Sequence, residues 1–586
     1  MHTSTLVWLS AALPLAFSQD SVSYDMQDYS AQSESPSQSY MSNANVSPPE
    51  MLVNKNGSGL MDGYIFIGVD GSPDSGQDWP TIFEFSDDIV GSLIWTGNYS
   101  KPFDFKASTY KGNPVLTFWS GELLDGYGRG SFYILDQSYT EIAHFQVANF
   151  GDNMGDIHEF EITADDTALV AIYTAIPYDL SPSGGPEDGW LFECTFQELN
   201  IETGELVFQW NSTTHVGIEE SYNPLPSDVG TSEDAPWDYF HINSIEKDTN
   251  GDYLVSARVM DCVYKISGDD GSIIWRLNGK KSDFKVDPDA EFAFQHDARW
   301  VDAKQTRLTL FDNGPTDTID YSRGLLLDVD QDAMTVKLNT EFTNSDQTFS
   351  EFEGSLQPID PTNTSTNFLL GFGSQPYFAE LDHNGNLLLD VQFGASNVVN
   401  SYRAFRQPWV GKPTTNPDIH WDKSGKSAYF SWNGATDIVS WTVLTAPSSN
   451  SSTWTNVTSA VRTGFETTID LSDAKLDTFV RGKAVAKDGS ALGWTLASNG
   501  NRLFEAPTKV KETGSVKSPK PTTSSSGGSG NGNGKGGSAT RVTSPPSRTQ
   551  GAESSSSSGA AARATGGVMG EVYVAAVVVM GGLAMV

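Results

Sequence analysis

The sequence predicts an all-β protein, a six-bladed β-propeller followed by a small fibronectin-III-like β-sandwich. Three observations lead there. An outer hairpin recurs six times at roughly 50- to 65-residue spacing: FEFSDDIVGSLIW (83–95), YILDQSYTEIAHF (133–145), FQELNIETGELVFQW (196–210), YKISGDDGSIIW (264–275), LLLDVDQDAMTVKL (325–338) and YFAELDHNGNLLLDV (377–391). Each is a strand, a turn rich in Asp, Gly and Asn, and an apolar strand, and four-stranded units at this period read as propeller blades. Helical periodicity is scarce. Three histidines, His158, His241 and His296, also occupy one position of successive units.

The elements follow in chain order. Residues 1–18 read as a secretory signal, an apolar stretch ending in Ala16-Phe17-Ser18. Residues 19–50 are polar and expected to be disordered. Residues 51–415 hold the six blades. Residues 418–500 alternate apolar and polar positions between turns and read as the sandwich. Residues 506–560 form a linker rich in Ser, Gly, Thr and Pro, which lacks the apolar surface to fold. Residues 561–586 carry a short apolar tail behind the small residues Ser558 and Gly559, the pattern of a GPI-attachment signal. A single transmembrane anchor is the alternative, although the tail is short for one.

Composition narrows the partners. The 586-residue chain carries a net charge of −38, which excludes nucleic acid as a natural partner and gives a self-repelling surface. An anionic substrate would need local positive groups. Sequons stand at Asn45, Asn56, Asn98, Asn211, Asn363, Asn450 and Asn456, which behind a signal suit a secreted or cell-surface glycoprotein. The location expected is the plasma membrane or cell wall, through the lipid anchor. The two cysteines, Cys194 and Cys262, sit near third-strand starts of adjacent units, and a disulfide or two buried thiols both remain open.

The repeat unit reads most clearly from His241, HINSIEKDTNGDYLVSAR followed by CVYKISGDDGSIIWRL. It aligns with units beginning at His158 and His296. In a propeller the first strands line one channel, so His158, His241 and His296 are expected to meet at its mouth. Arg258 flanks the same hairpin as His241, either directly opposite or one diagonal away depending on the turn, and its long side chain reaches the imidazole in both registers. Asp238, Asn243, Gln295, Asp297 and Arg299 lie nearby in sequence, and some of them are expected to hold histidine tautomers. A three-histidine zinc site is disfavoured by the adjacent fixed cation, and no cofactor-binding motif is present. Transfer of an anionic group suits the set: one histidine attacks, another protonates the leaving oxygen, and the arginine stabilises the transferred oxygens.

DYFHINSIEKDTNGDYLVSAR (238–258), IIWRLNGKKSDF (273–284), FAFQHDARW (292–300), LTLFDNG (308–314), YSRGLLLD (321–328) and SYRAFRQPW (401–409) resemble the arylsulfotransferase family in its eukaryotic, fungal-type branch. The resemblance runs over roughly residues 60–410. It implies a six-bladed propeller that moves a sulfuryl group between phenols by a ping-pong mechanism through a sulfated histidine. It implies His296 as nucleophile, His241 as sulfate-binding and acid/base histidine, Arg258 as sulfate clamp and His158 as the remaining pocket histidine. Small phenolic donors and acceptors would be the partners, with the membrane reached through the lipid anchor and the cell wall as a further candidate. Two other activities stay open: a surface-binding propeller without catalysis, and an aryl sulfate hydrolase using the same pocket with water as acceptor.

Overall fold

A computed structural model describes residues 36–71, 78–86, 89–314 and 319–516. These form an all-β chain of eight separate sheets. One joins Ala404–Gln407 to Tyr64–Gly68, Pro80–Phe85 and Val90–Thr96. The second runs Phe103–Tyr110, Asn113–Leu123, Gly128–Leu135, Glu141–Phe145. The third runs Phe160–Ile162, Thr167–Tyr178, Gly189–Asn200, Leu206–Asn211, and the fourth Ile242–Lys247, Tyr253–Ala257, Cys262–Ile266, Ile273–Asn278. The fifth starts at His296–Trp300 and continues through Arg307–Asp312, Arg323–Asp330 and Thr335–Phe342, with Lys285–Val286 added in parallel at its edge. The sixth runs from Ser355–Pro358 through Phe368–Gly371, Tyr377–Leu381 and Leu387–Gln392, and Leu52–Lys55 from the start of the chain pairs with that last strand.

The expectation of a six-bladed β-propeller followed by a fibronectin-III-like sandwich is corrected here. The sheets are small, mostly antiparallel and open. None is closed or curled on itself, and each ends in free edges. The recurrent hairpins do report real strands. Their spacing reports the length of a unit, however, and says nothing of closure.

Apolar side chains from neighbouring sheets form shared layers. Leu169, Phe196, Tyr253, Val255 and Tyr264 join the third and fourth sheets, and Leu254, Val263, Leu308, Leu310 and Leu325 the fourth and fifth. Thr167–Tyr178 is buried on both faces over most of its length, which is why it reads as an unbroken apolar run rather than an alternating one. Full burial of each such side chain contributes about 1.5–3 kcal/mol. Polar links tie the first strands together: Ala298 N–H donates to Ser244 Oγ at 3.1 Å and Ile245 N–H to Glu159 Oε2 at 2.9 Å.

Beyond residue 415 the chain forms a three-stranded sheet (Asp418–Asp422, Ser427–Ser431, Thr467–Asp470) and a seven-stranded one centred on Ser440–Ala446. Phe430 and Trp441 stack between them at 5.4 Å. Lys511–Thr513 pairs in parallel with Thr453–Val461, so the first residues of the expected linker belong to a sheet. The expected disorder of residues 19–50 is likewise corrected for 36–50. Gln38 Nε2 donates to Pro49 O at 2.9 Å, Val46 is buried, and Ser42 N–H donates to Glu466 Oε2 at 2.6 Å.

No helix among the described residues is long and apolar enough to cross a membrane. The signal (1–18) and the tail with Ser558 and Gly559 lie outside the described residues. Cys194 and Cys262 are both buried and free, so the disulfide alternative falls. Among the sequons, Asn45, Asn56, Asn98, Asn363 and Asn450 are exposed. The amides of Asn211 and Asn456 are engaged, with Asn211 donating to Glu193 Oε2 at 2.7 Å and Asn456 to Glu512 Oε2 at 3.2 Å.

Candidate active site

Local backbone irregularity aims the histidines. The strand pair Ile242–Lys247 and Tyr253–Ala257 carries a bulge between Ile242 and Ser244, after which Ile242 faces Ala257. The extra residue brings His241 opposite Arg258, whose N–H donates to His241 O at 2.9 Å. The fifth sheet repeats the device, with a bulge between His296 and Arg299. Bulges re-aim side chains in this way at sheet ends. His241, Phe294, Asp297 and Glu353 all have positive φ, from 54° to 66°. Non-glycine residues held in that region cost of order 1–3 kcal/mol each, and they cluster at functional sites.

The three histidines converge as expected. The rings of His158 and His241 lie 4.7 Å apart and nearly perpendicular, and those of His241 and His296 lie 6.4 Å apart. All three are buried, His296 to 1% exposure. Tyr173 packs against both His158 (5.3 Å) and His241 (5.7 Å). Arg258 is half-buried over the ring of Phe294 at 5.0 Å and donates through Nη2 to Glu351 O at 3.0 Å. Its Nε is buried without a hydrogen-bond partner, an orphan donor of the kind that an anion would satisfy.

Each ring has its Nδ1 engaged. His158 Nδ1 donates to Asp156 Oδ1 at 2.5 Å and His241 Nδ1 to Asp238 Oδ2 at 2.5 Å. His296 Nδ1 instead meets Asn313 Oδ1 at 2.7 Å, and Glu353 N–H donates to His296 Nε2 at 3.2 Å. Burial pushes the His296 imidazole well below its usual value, and Arg258 and His241 add to that. His241 is lowered too, mainly by burial and against the pull of Asp238. Glu353 is pushed up to about 8 by burial and by the nearby Asp70.

Beneath the rings lies a buried ionic floor. Arg403 Nη1 pairs with Asp104 at 2.8 Å and Glu159 at 3.3 Å, while its Nη2 donates to His158 O at 3.1 Å and Asn243 O at 2.8 Å. Tyr402 OH donates to the same two carbonyls, at 2.9 and 3.1 Å. These contacts fix the backbones of two histidine-bearing strands.

Of the neighbours expected to hold tautomers, only Asp238 does. Gln295 donates to Ser256 Oγ, Ala257 O and Cys262 O, and Asn243 to Gln295 O. Arg299 pairs with Glu159 and Asp297. Sequence reasoning missed Asp156, Asn313, Glu353, Tyr173, Tyr402 and Arg403. Asp156 and Asp238 each precede their histidine by two or three residues, a pattern visible in the sequence. Among the described residues, no cluster of three or more His, Cys, Asp or Glu side chains is arranged to hold a metal ion.

An arylsulfotransferase-family domain is matched over residues 106–394. The matching model is described as arylsulfotransferase (ASST), and its span takes in His158, His241, Arg258, His296 and Asn313 but ends before Tyr402 and Arg403. That match supports a transferase-like function in general and the enzymatic potential of the matched family. No curated protein matches the chain. Among solved structures, a Bacteroides caccae protein of unknown function is 13% identical with a TM-score of 0.33, covering 59% of this chain and 100% of its own. Hydrazine synthase from Kuenenia stuttgartiensis is 13% identical with a TM-score of 0.30, covering 63% and 89%. A functionally unknown protein from Desulfotomaculum acetoxidans is 10% identical with a TM-score of 0.28, covering 76% and 100%. These likenesses are too slight to carry an argument about this chain.

Proposed function

We propose that this protein transfers a sulfuryl group from aryl sulfates to phenolic acceptors through a sulfated His296. The observation that carries the reading is a buried His296 whose Nδ1 meets Asn313 Oδ1 and whose Nε2 lies against Glu353 N–H, set beside the orphan donor of Arg258 and the two aspartate-held histidines.

In the first half-reaction the Nε2 electron pair forms a bond to sulfur. The sulfur–oxygen bond to the aryl group breaks, and its electron pair leaves on the phenolate. Arg258 and His241 hold the sulfuryl oxygens, and the His158–His241 pair supplies the proton for the departing oxygen. A phenol then attacks sulfur, gives its proton back to that pair, and the nitrogen–sulfur bond breaks. The covalent adduct divides one hard displacement into two easier ones. The Glu353 N–H that rests on Nε2 has to leave that lone pair when the substrate arrives, and an equatorial sulfuryl oxygen is the acceptor it would find.

An incoming anion also reverses the local electrostatics. In the free pocket burial, with His158 and Arg258 adding to it, disfavours the His241 cation against the pull of Asp238, whereas a sulfate ester in the pocket favours its protonation. The test is phenolate release from a chromogenic aryl sulfate, with and without a second phenol. Release that rises with the acceptor and vanishes in His296→Ala supports the reading. Turnover retained in His296→Ala would sink it. Release indifferent to the acceptor would instead make the protein a hydrolase, and no release from the folded protein would favour a binding role.

A further inference from the structure

Two of the three pocket histidines lean on a carboxylate and one on an amide. Asp156 and Asp238 accept from His158 and His241. The partner of His296 is Asn313, which is wholly buried. An amide's orientation follows from what its nitrogen donates to. Asn313 Nδ2 donates to Ser350 O and Glu353 O, both at 2.9 Å. Its Oδ1 therefore faces His296, and only Nδ1–H can complete that bond. A second, independent contact agrees, because Glu353 N–H donates to Nε2 and so needs a bare lone pair there.

We propose that Asn313 is the positioning residue of His296: it fixes the ring proton on Nδ1 and, being uncharged, leaves the ring neutral with Nε2 free to attack. By the same contrast, Asp156 and Asp238 mark His158 and His241 as the proton-handling pair. This rests on the sulfuryl-transfer reading for the identity of the group attacked, but the tautomer and charge of His296 are claims in their own right.

The chemistry explains why an amide serves here. A carboxylate beside an imidazole favours the imidazolium, raising its pKa by about 1–3 units, and a protonated ring has no electron pair to give. The other charged groups near His296 do not supply such a partner. Arg258, His241 and His158 all disfavour its cation. Asp297 is paired with Arg299 at 2.9 Å and Asp312 with Arg323 at 2.9 Å. Asp261 accepts from Phe294 N–H at 2.8 Å, and Glu353 contacts the ring through its backbone N–H. During attack Nδ1–H stays on the ring, which becomes cationic as the nitrogen–sulfur bond forms. The Asn313 amide supports that cation through one hydrogen bond but, lacking charge, less than a carboxylate would, so the adduct remains a good donor to the second phenol.

The experiment is nitrogen-resolved NMR of the full chain with its eight histidines labelled, His296 being assigned by its loss in His296→Gln. At pH 7 the expected spectrum shows His296 as a single neutral tautomer, protonated on Nδ1. A proton on Nε2, averaging between tautomers, or a cationic ring at pH 7 overturns the proposal. In Asn313→Asp the His296 pKa should rise by about 1–3 units, and the acid limb of the kcat/KM profile should move up with it. A merely structural role would lower the folded fraction and leave both unmoved. Should Asn313→Asp fail to fold, the spectrum of the parent protein decides. Absence of aryl sulfate turnover with the Nδ1–H tautomer intact would overturn the sulfuryl reading while leaving the placement of this proton standing.

Discussion

Arg258 and His241 are joined through their backbones, the N–H of one donating to the carbonyl of the other at 2.9 Å. The bulge at Ile242–Ser244 creates this pairing, because the rest of the hairpin runs one residue out of that register. The backbones that carry the cation and the imidazole are thus held together, while the guanidinium itself is placed by the Phe294 ring and Glu351 O.

Arg258→Lys keeps the charge and loses the planar fork. We expect kcat/KM for aryl sulfate to fall by about 10²–10³-fold, the usual cost of one oxyanion donor, with an unchanged melting temperature. Steady-state kinetics and a thermal melt check both halves.

Asp238→Asn removes the carboxylate that holds His241 and leaves the ring free to adopt the wrong tautomer. Loss of proton transfer typically costs about 10²–10⁴-fold. The expected signature is a larger loss with poor leaving groups than with good ones, read from a series of substituted aryl sulfates.

Stability should depend on pH in two opposed windows. His296 and His241 have folded pKa values below the unfolded one, so below about pH 6.5 the unfolded chain binds more protons. Their contribution is whole above that pH and lost as it falls. Glu353 is the reverse. Its folded value is raised from 4.5 to about 8, so its contribution is whole below about pH 4.5 and is lost as pH rises to about 8. In Glu353→Gln the melting temperature should therefore gain on the parent between pH 5 and pH 8. A gap that stays constant across that range would contradict the assignment.

Arg403→Met removes the cation shared by Asp104 and Glu159, leaving Asp104 to Lys106 and Glu159 to Arg299 in the interior. Breaking a buried ion pair by removing one partner costs about 3–5 kcal/mol, and denaturant unfolding should show a loss of that order together with loss of turnover.

Both thiols are buried and pushed upward in pKa by that burial. They should resist alkylation in the native protein and label fully in denaturant without reductant. A requirement for reductant would mean that the pair is oxidised.

The three histidines were legible because one position of a repeat recurs in space wherever first strands pack together, and Arg258 was legible from hairpin pairing. Asp156 was within reach of the same reading, since it stands two residues before His158 as Asp238 stands three before His241. Asn313 lay inside the quoted segment LTLFDNG, but its role depends on carbonyls of Ser350 and Glu353, which reach it from a loop with no periodic signal. Arg403 and Tyr402 were invisible as site residues because they touch the histidine strands from across the molecule. The arrangement of the sheets was the largest miss. Period and polarity of a hairpin are local properties, whereas closure depends on how edges meet.

The floor of the pocket also sets an order of events. Arg403 grips the carbonyls of His158 and Asn243 while neutralising Asp104 and Glu159. These five residues span nearly three hundred positions of chain, and contacts of such long range form late in folding. During synthesis the segments bearing His158, His241 and His296 emerge well before Arg403 exists to bind them. A nascent or truncated chain therefore carries every reactive side chain and no reactive centre, and the nucleophile is armed only once the strand Ala404–Gln407 has docked beside Tyr64–Gly68.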